Sequence, residues 1–78
     1  MMHPESIEAL LREGLPCTFL TVEGDGHHFE AVIVSPAFEG KSRIQQHKTV
    51  YSALGDRMRE EIHALSMKTY TPREWATR

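Results

Sequence analysis

A strong turn signal, Gly24-Asp25-Gly26, separates two strand-like runs in the first half of this sequence. Residues 17–22 before the turn and residues 28–34 after it are rich in β-branched and aromatic side chains. Pro36 ends the second run, because proline lacks the N–H that a paired strand requires. The first half of the chain is therefore predicted to contain a β-hairpin.

Helical periodicity precedes this hairpin and follows it. In the first segment, the apolar residues that follow Pro4 recur at helical spacing: Ile7, Leu10, Leu11 and Leu15. This spacing predicts a helix over about residues 4–13. Ser42 and Gln45 have the spacing of a capping box, which predicts the start of a second helical stretch. The apolar residues of that stretch are Ile44, Val50, Tyr51, Leu54 and Met58. Because Gly55 costs roughly 1 kcal/mol inside a helix, we favour two shorter helices with a break near Gly55-Asp56 over one long helix.

The last part of the chain predicts a strand over residues 62–70 and then a short helix that carries Trp75. Thr71 is a suitable N-cap, with Pro72 at the first helical position and Glu74 at the third. The order is helix, strand, strand, one or two helices, strand and short helix. It predicts an α+β sandwich in which a three-stranded mixed sheet has helices on one face. Because 78 residues bury too little surface for two cores, we expect one domain over residues 1–78.

Charge and composition argue against several classes of function. Nine Lys and Arg against eleven Asp and Glu leave a formal charge of −2, whereas a dedicated nucleic-acid binder usually has a basic excess. The lone Cys17 cannot form an internal disulfide, which suits a reducing compartment such as the cytoplasm. No apolar run approaches the roughly 20 residues that span a bilayer, so we expect no membrane role. The enzyme signatures GxSxG, HExxH and GxGxxG are absent, and we expect a binding protein, not an enzyme.

Three histidines are expected at one edge of the sheet. A helical crossover joins the second and third strands, which favours a parallel pair of neighbours. In this prediction His27 and His28 open the second strand and His63 opens the third. The interstrand spacing then brings His63 to within about 5 to 10 Å of that pair. His47 falls on the apolar stripe of the helical stretch, where we expect it to pack and hydrogen-bond between helix and sheet.

Several short patterns resemble the BolA family. They are, in order, Phe38-Glu39-Gly40-Lys41-Ser42, a helix with His47, Val50 and Leu54, then Ile62-His63-Ala64-Leu65 and Thr69-Tyr70-Thr71-Pro72-Arg73-Glu74-Trp75. The resemblance covers roughly residues 20–76. It implies a fold similar to the class II KH domain, of helix-strand-strand-helix-helix-strand order, which agrees with the element order above.

The resemblance also implies a monothiol glutaredoxin partner that carries a 2Fe-2S cluster. In such complexes a histidine matching His63, and a His or Cys from the loop between the first two strands, are ligands or neighbours of the cluster. The loop is short here, and His27 and His28 are both candidates for the second position. Two imidazoles can replace two thiolates on one iron, but they cannot hold a cluster alone. We therefore expect a cluster shared with the partner, in iron-sulfur trafficking or in iron or stress regulation, and an isolated chain that binds none and is a monomer or weak homodimer.

A group of basic residues supports a second hypothesis. Lys41, Arg43 and Lys48 lie at the start of the second helical region, where a KH-like fold approaches a nucleic-acid backbone. A solvated helix face explains the same residues, and no two glycines stand three apart as the GXXG loop of a KH domain requires. DNA binding as a transcriptional regulator, attributed to some relatives of the family, is therefore the alternative function.

Overall fold

The computed structural model of the protein describes residues 3–58 and 62–78. Its helices and strands are, in chain order, α1 (Pro4–Gly14), β1 (Phe19–Gly24), β2 (Phe29–Val34), α2 (Arg43–Leu54), β3 (Leu65–Tyr70) and α3 (Pro72–Thr77). Short 3-10 turns lie between them, at Pro36–Phe38, Gly55–Met58 and Ile62–Ala64. No helix in the described ranges has the length and the apolar character needed to cross a membrane.

The strands form one sheet in the order β1-β2-β3. β1 and β2 are antiparallel, with Phe19 opposite Val34 and Gly24 opposite Phe29. β2 and β3 are parallel, with Phe29 opposite Leu65. The predicted α+β architecture with a mixed three-stranded sheet is confirmed, and so is the parallel pairing of the second and third strands.

Helices α1 and α2 cover one face of this sheet. Alternate strand residues point to that face, because side chains alternate across a strand. The buried core consists of Ile7, Leu11, Leu15, Leu20, Phe29, Ala31, Ile33, Phe38, Val50, Leu54 and Leu65. Each large apolar side chain buried in this layer contributes about 1.5–3 kcal/mol to folding. Burial of these side chains therefore holds both α1 and α2 on the sheet.

A buried polar contact joins α2 to β3 within the core. The Oγ1 of Thr69, a fully buried residue, donates a hydrogen bond to Oε1 of Gln46 at 2.7 Å. The Nε2 of Gln46 donates to the Lys41 carbonyl at 3.0 Å, so both ends of the amide have a partner. Because an unpaired buried polar group costs about 1–3 kcal/mol, this contact specifies how α2 lies on the sheet.

Helix α3 packs on the other face of the sheet. Its predicted N-cap is confirmed, since Thr71 Oγ1 accepts from the Glu74 N–H at 3.1 Å and Glu74 Oε1 accepts from the Thr71 N–H at 2.8 Å. The Trp75 ring stacks on Phe19 with 4.9 Å between centroids and lies 5.2 Å from Tyr70. Phe19 and Tyr70 flank Val34 in the sheet register, on the face away from the core. The expectation of helices on one face thus holds for α1 and α2.

The predicted strand starts are too early. β1 begins at Phe19, so Cys17 precedes the strand and is half-buried. β2 begins at Phe29, one residue after His28. β3 begins at Leu65, and Ile62–Ala64 forms a 3-10 turn where a strand was predicted. A 3-10 turn redirects the chain within a few residues, which the crossover needs before it enters the sheet.

The predicted break in the second helical stretch is confirmed at Gly55, which ends α2 with a φ of +62°. The second of the two predicted helices is a four-residue 3-10 turn, Gly55–Met58. The predicted apolar stripe is wrong for Ile44 and Tyr51, whose residues are 70% and 43% exposed. The Met58 side chain lies outside the described part of the chain. Helix α2 instead turns Gln46 toward the sheet together with Val50 and Leu54, because Thr69 needs a hydrogen-bond partner there.

Replacing Gln46 with Leu is expected to destabilise the protein although it adds apolar surface. The change leaves the buried Thr69 hydroxyl without its acceptor, which costs about 1–3 kcal/mol, and also removes the part-buried hydrogen bond to the Lys41 carbonyl. Adding Thr69→Val removes this hydroxyl and should restore part of the free energy of unfolding. Urea unfolding followed by circular dichroism measures both variants. A Gln46→Leu variant as stable as the parent would show that this contact does not hold α2 on the sheet.

Candidate functional site

The hairpin turn holds His27 and His28 at the start of β2. The Oδ1 atom of Asp25 accepts hydrogen bonds from the backbone N–H of His27 at 2.8 Å and of His28 at 2.9 Å. The Asp25 N–H in turn donates to the His28 carbonyl at 3.2 Å. The backbone hydrogen bonds from His28 and His27 lower the pKa of the Asp25 carboxyl group. These contacts order the turn and leave both histidines exposed.

The same turn requires a glycine at position 24. A side chain on Gly24 would overlap with the His28 carbonyl and would lie 2.6 Å from Cδ1 of Phe29. Phe29 is buried in the core, so the turn and not the ring would have to move. The sequence motif Gly24-Asp25-Gly26 therefore encodes a close backbone approach as well as the carboxylate that holds two N–H groups.

The start of β3 lies beside this turn. Phe29 pairs with Leu65 in parallel register. His27 lies two residues before Phe29 and His63 lies two residues before Leu65, so both precede the sheet at the same end. A shallow depression at this end is lined in part by His28 and by Ser66, which connects the hairpin with β3. We call the exposed residues His27, His28 and His63 the histidine end.

His63 differs from its prediction in one respect. It lies in the 3-10 turn Ile62–Ala64 and does not open the strand. It is exposed, as a ligand of a group held by another protein would have to be. The hypothesis that His63 acts with His27 or His28 in one metal site stays a prediction.

Sequence reasoning overlooked Asp25, whose position two and three residues before the bonded N–H groups is the signal of an Asx turn.

The described residues supply too few donors for a metal site of their own. No group of three or more His, Cys, Asp or Glu side chains within residues 3–58 and 62–78 is placed to hold one metal ion. Cys17 adjoins the opposite end of the sheet, because the Thr18 N–H donates to the Val34 carbonyl at 2.9 Å. Burial raises the pKa of the Cys17 thiol, with the charge of Arg12 opposing it, so the thiolate is disfavoured. Cys17 is therefore not part of the histidine end.

His47 lies in α2 and not at the histidine end. It is half-buried, and its Nε2 atom is buried without a hydrogen-bond partner in the described part of the chain. The expected packing is consistent with this burial, but the expected hydrogen bond is not made by this nitrogen.

Two of the three basic residues of the alternative site make internal hydrogen bonds. Lys41 Nζ donates to Thr49 Oγ1 at 3.3 Å, and an Arg43 guanidinium N–H donates to the Thr69 carbonyl at 2.8 Å. Lys48 is exposed on α2. A phosphate bound by Arg43 would compete with its bond to β3. A nucleic-acid role for this group stays a prediction.

Comparison with known proteins identifies the family to which the chain is similar. A family model described as BolA-like protein matches residues 8–74. The chain is 40% identical over 76 residues to the acid stress protein IbaG of Escherichia coli strain K12, a match that covers 96% of this chain and 90% of that protein. It is 35% identical over 85 residues to the DNA-binding transcriptional regulator BolA of the same strain, covering 96% and 81%. The solved structure of a bolA protein homologue from Coxiella burnetii matches with a TM-score of 0.84 and 47% identity, over 97% of this chain and 99% of that one.

The matched solved structure shares the fold of this chain, which is a small α+β domain with a mixed three-stranded sheet. The chain belongs to the BolA family. The resemblance inferred from short sequence patterns is thereby confirmed, and it extends to the first helix, which those patterns did not include.

Asp25 is expected to hold the hairpin turn most strongly while its carboxyl group is ionised. Because its folded pKa lies below the unfolded value of 3.8, its contribution is fully present above that value and is lost as the pH falls through the lowered folded pKa. Asp25→Ala should speed amide hydrogen exchange at His27 and His28, and Asp25→Asn, which keeps a side-chain oxygen, should speed it less. NMR exchange rates measured against pH test this, with Glu39→Ala as a control at an exposed carboxylate. Unchanged rates in Asp25→Ala would refute the role of this side chain.

Proposed function

We propose that this protein is a non-enzymatic binding protein that shares a 2Fe-2S cluster with a monothiol glutaredoxin. The observation that carries the proposal is the parallel register of β2 and β3, which aligns the hairpin histidines with His63 at one end of the sheet. His27, His28 and His63 are all exposed, so the surface of a partner can reach them. The family resemblance implies the same partner and the same residues.

The ligand chemistry of the histidine end supports sharing. Imidazole binds iron, and two histidines replace two cysteines on one iron of a known type of 2Fe-2S cluster. His63 and one hairpin histidine would therefore fit half of a four-ligand set, and thiolates of the partner would fit the rest. On this chain Asp25 holds the backbone of the hairpin histidines, which reduces the entropy lost when an imidazole binds. The shared cluster would supply iron-sulfur cargo for trafficking or a signal of iron or stress state.

A cytoplasmic location belongs to the same proposal. The chain has one cysteine and no internal disulfide to form. The proposed partner ligands are thiolates, which persist in a reducing compartment. Both features favour the cytoplasm over an oxidising compartment.

The purified chain is expected to be colourless and to change the spectrum of a cluster-loaded monothiol glutaredoxin when the two are mixed. The change follows from exchanging two ligands of the cluster for imidazoles. Visible absorption and circular dichroism of the mixture measure it, with the glutaredoxin alone as the reference. A spectrum equal to the sum of the two separate proteins would count against the shared cluster.

His63→Ala is expected to alter the visible spectrum of the mixed complex and to speed loss of the cluster. His3→Ala is the matched control, because His3 is also exposed but lies at the start of α1. His47→Ala should leave the spectrum unchanged, since its ring is half-buried in α2. His27→Ala and His28→Ala identify the hairpin ligand. If His63→Ala keeps the parental spectrum and rate of loss while the glutaredoxin still binds, His63 is no ligand.

A second candidate function is DNA binding, which is favoured by the 35% identity to a relative named as a DNA-binding transcriptional regulator. Lys48 is the residue to test, because it is exposed and its replacement leaves the Arg43 bond to β3 in place. Binding to duplex DNA should fall steeply with salt, and Lys48→Ala should reduce the slope of log K against log salt by about 1. Salt-independent or undetectable binding would exclude this function.

A further inference from the structure

The far face of the sheet points away from α1 and α2, and α3 covers the part of it that is distant from the histidine end. Trp75 of α3 contacts Phe19 and Tyr70, which lie in one row across the strands. Two further rows of far-face side chains lie between that row and the histidine end. Four of these six residues are exposed, and a shallow depression among them is lined by residues of the strands alone. We call the six residues the open sheet face: Thr21, Val32 and Lys68 in the row nearer α3, and Glu23, Glu30 and Ser66 in the row nearer the histidine end.

Glu23 and Glu30 place two like charges side by side on the open sheet face. They are directly opposite each other in the antiparallel pair of β1 and β2, so their Cα atoms lie about 4.5–5.5 Å apart and their side chains leave the same face. Neither forms an ion pair with a basic residue in the ranges that the structure describes. Lys68 lies on the same face but in the other row, opposite Val32. Because like charges that are directly opposite destabilise a sheet, folding alone does not explain this pair.

The open sheet face continues into the histidine end. The depression at that end is lined by Glu23, Glu30 and Ser66 as well as by His28. A stable interface between two proteins covers about 800 Å² of each partner and involves roughly 20–30 residues a side, whereas the histidine end has only three residues. A protein that docks at the histidine end must therefore cover neighbouring surface too, and the open sheet face adjoins it directly.

We propose that the partner docked at the histidine end also contacts the open sheet face, through a basic side chain that binds Glu23 and Glu30 together. The inference rests on the proposed function, because the partner is the protein that shares the cluster. It adds to that function a second contact, made by charge and not by metal ligation, on residues that the family resemblance did not single out.

A guanidinium group is the basic group that suits this pair best. Its planar fork of N–H donors can contact oxygens of both carboxylates at once, whereas an ammonium group is a single point of charge. A cation between Glu23 and Glu30 removes the repulsion that the two carboxylates have in the isolated chain. Because the pair lies beside His28, the same contact fixes the orientation in which the partner approaches the histidine end.

The double variant Glu23→Gln/Glu30→Gln is expected to bind a cluster-loaded monothiol glutaredoxin about tenfold more weakly than the parent chain does. Isothermal titration calorimetry measures the Kd, and the weakening of binding by added salt should be smaller for the double variant. Glu5→Gln/Glu39→Gln is the matched control. It removes the same charge from two exposed positions outside the open sheet face, at the start of α1 and after Pro36–Phe38, and should keep the parental Kd.

Thermal unfolding of the isolated variants separates a binding role of the two glutamates from a structural one. The Glu23→Gln/Glu30→Gln chain should be at least as stable as the parent, because it loses a like-charge pair. Weaker binding together with a lower unfolding temperature assigns the pair to the fold, and self-association of the parent that the variant loses assigns it to a second copy. Either result overturns the inference, as does a parental Kd in a mixture that still changes its visible spectrum, which leaves the proposed function standing. A parent chain that does not bind the glutaredoxin overturns both.

Discussion

Parallel pairing of β2 with β3 requires a connection that carries the chain back across the sheet, and α2 forms the main part of that connection. The chain leaves β2 at Val34 and returns to the opposite end of the sheet at Leu65. As a result the N-terminal ends of both strands meet. Histidines that are far apart in the sequence, at the hairpin turn and before β3, share one end of the sheet because of this pairing.

The crossover also decides the orientation of α2, through contacts with a single residue of β3. The Thr69 side chain bonds to Gln46 inside the core, and the Thr69 carbonyl bonds to Arg43 at the outer edge. The two bonds and the buried side chains of Val50 and Leu54 together set the rotation of α2 about its axis. With Val50 and Leu54 buried on the same stripe, Ile44 and Tyr51 remain exposed, although their spacing alone would allow them to face the core.

Different parts of the molecule contact β3 at its start, at its outer edge and on its far face. The histidine end lies before β3 begins, and Arg43 of α2 bonds to the Thr69 carbonyl near the end of the strand. Helix α3 occupies a third region, on the opposite face, where Trp75 packs between the sheet and the Arg78 guanidinium, whose carbon lies 3.3 Å from the ring centroid. The start of β3, its outer edge and the far face of the sheet are thus bounded by the histidine end, by α2 and by α3.

The sequence by itself determined the element order, the hairpin, the end of α2 at Gly55 and both capping boxes, because each depends on residues a few positions apart. It also located the candidate histidines, since the parallel pairing follows from the helical crossover. Only the tertiary structure decided which stripe of α2 is buried, where β3 begins and which groups Arg43 and Gln46 contact. Periodicity shows that residues share a stripe, but the direction of the stripe depends on Thr69, which is distant in sequence and adjacent in space.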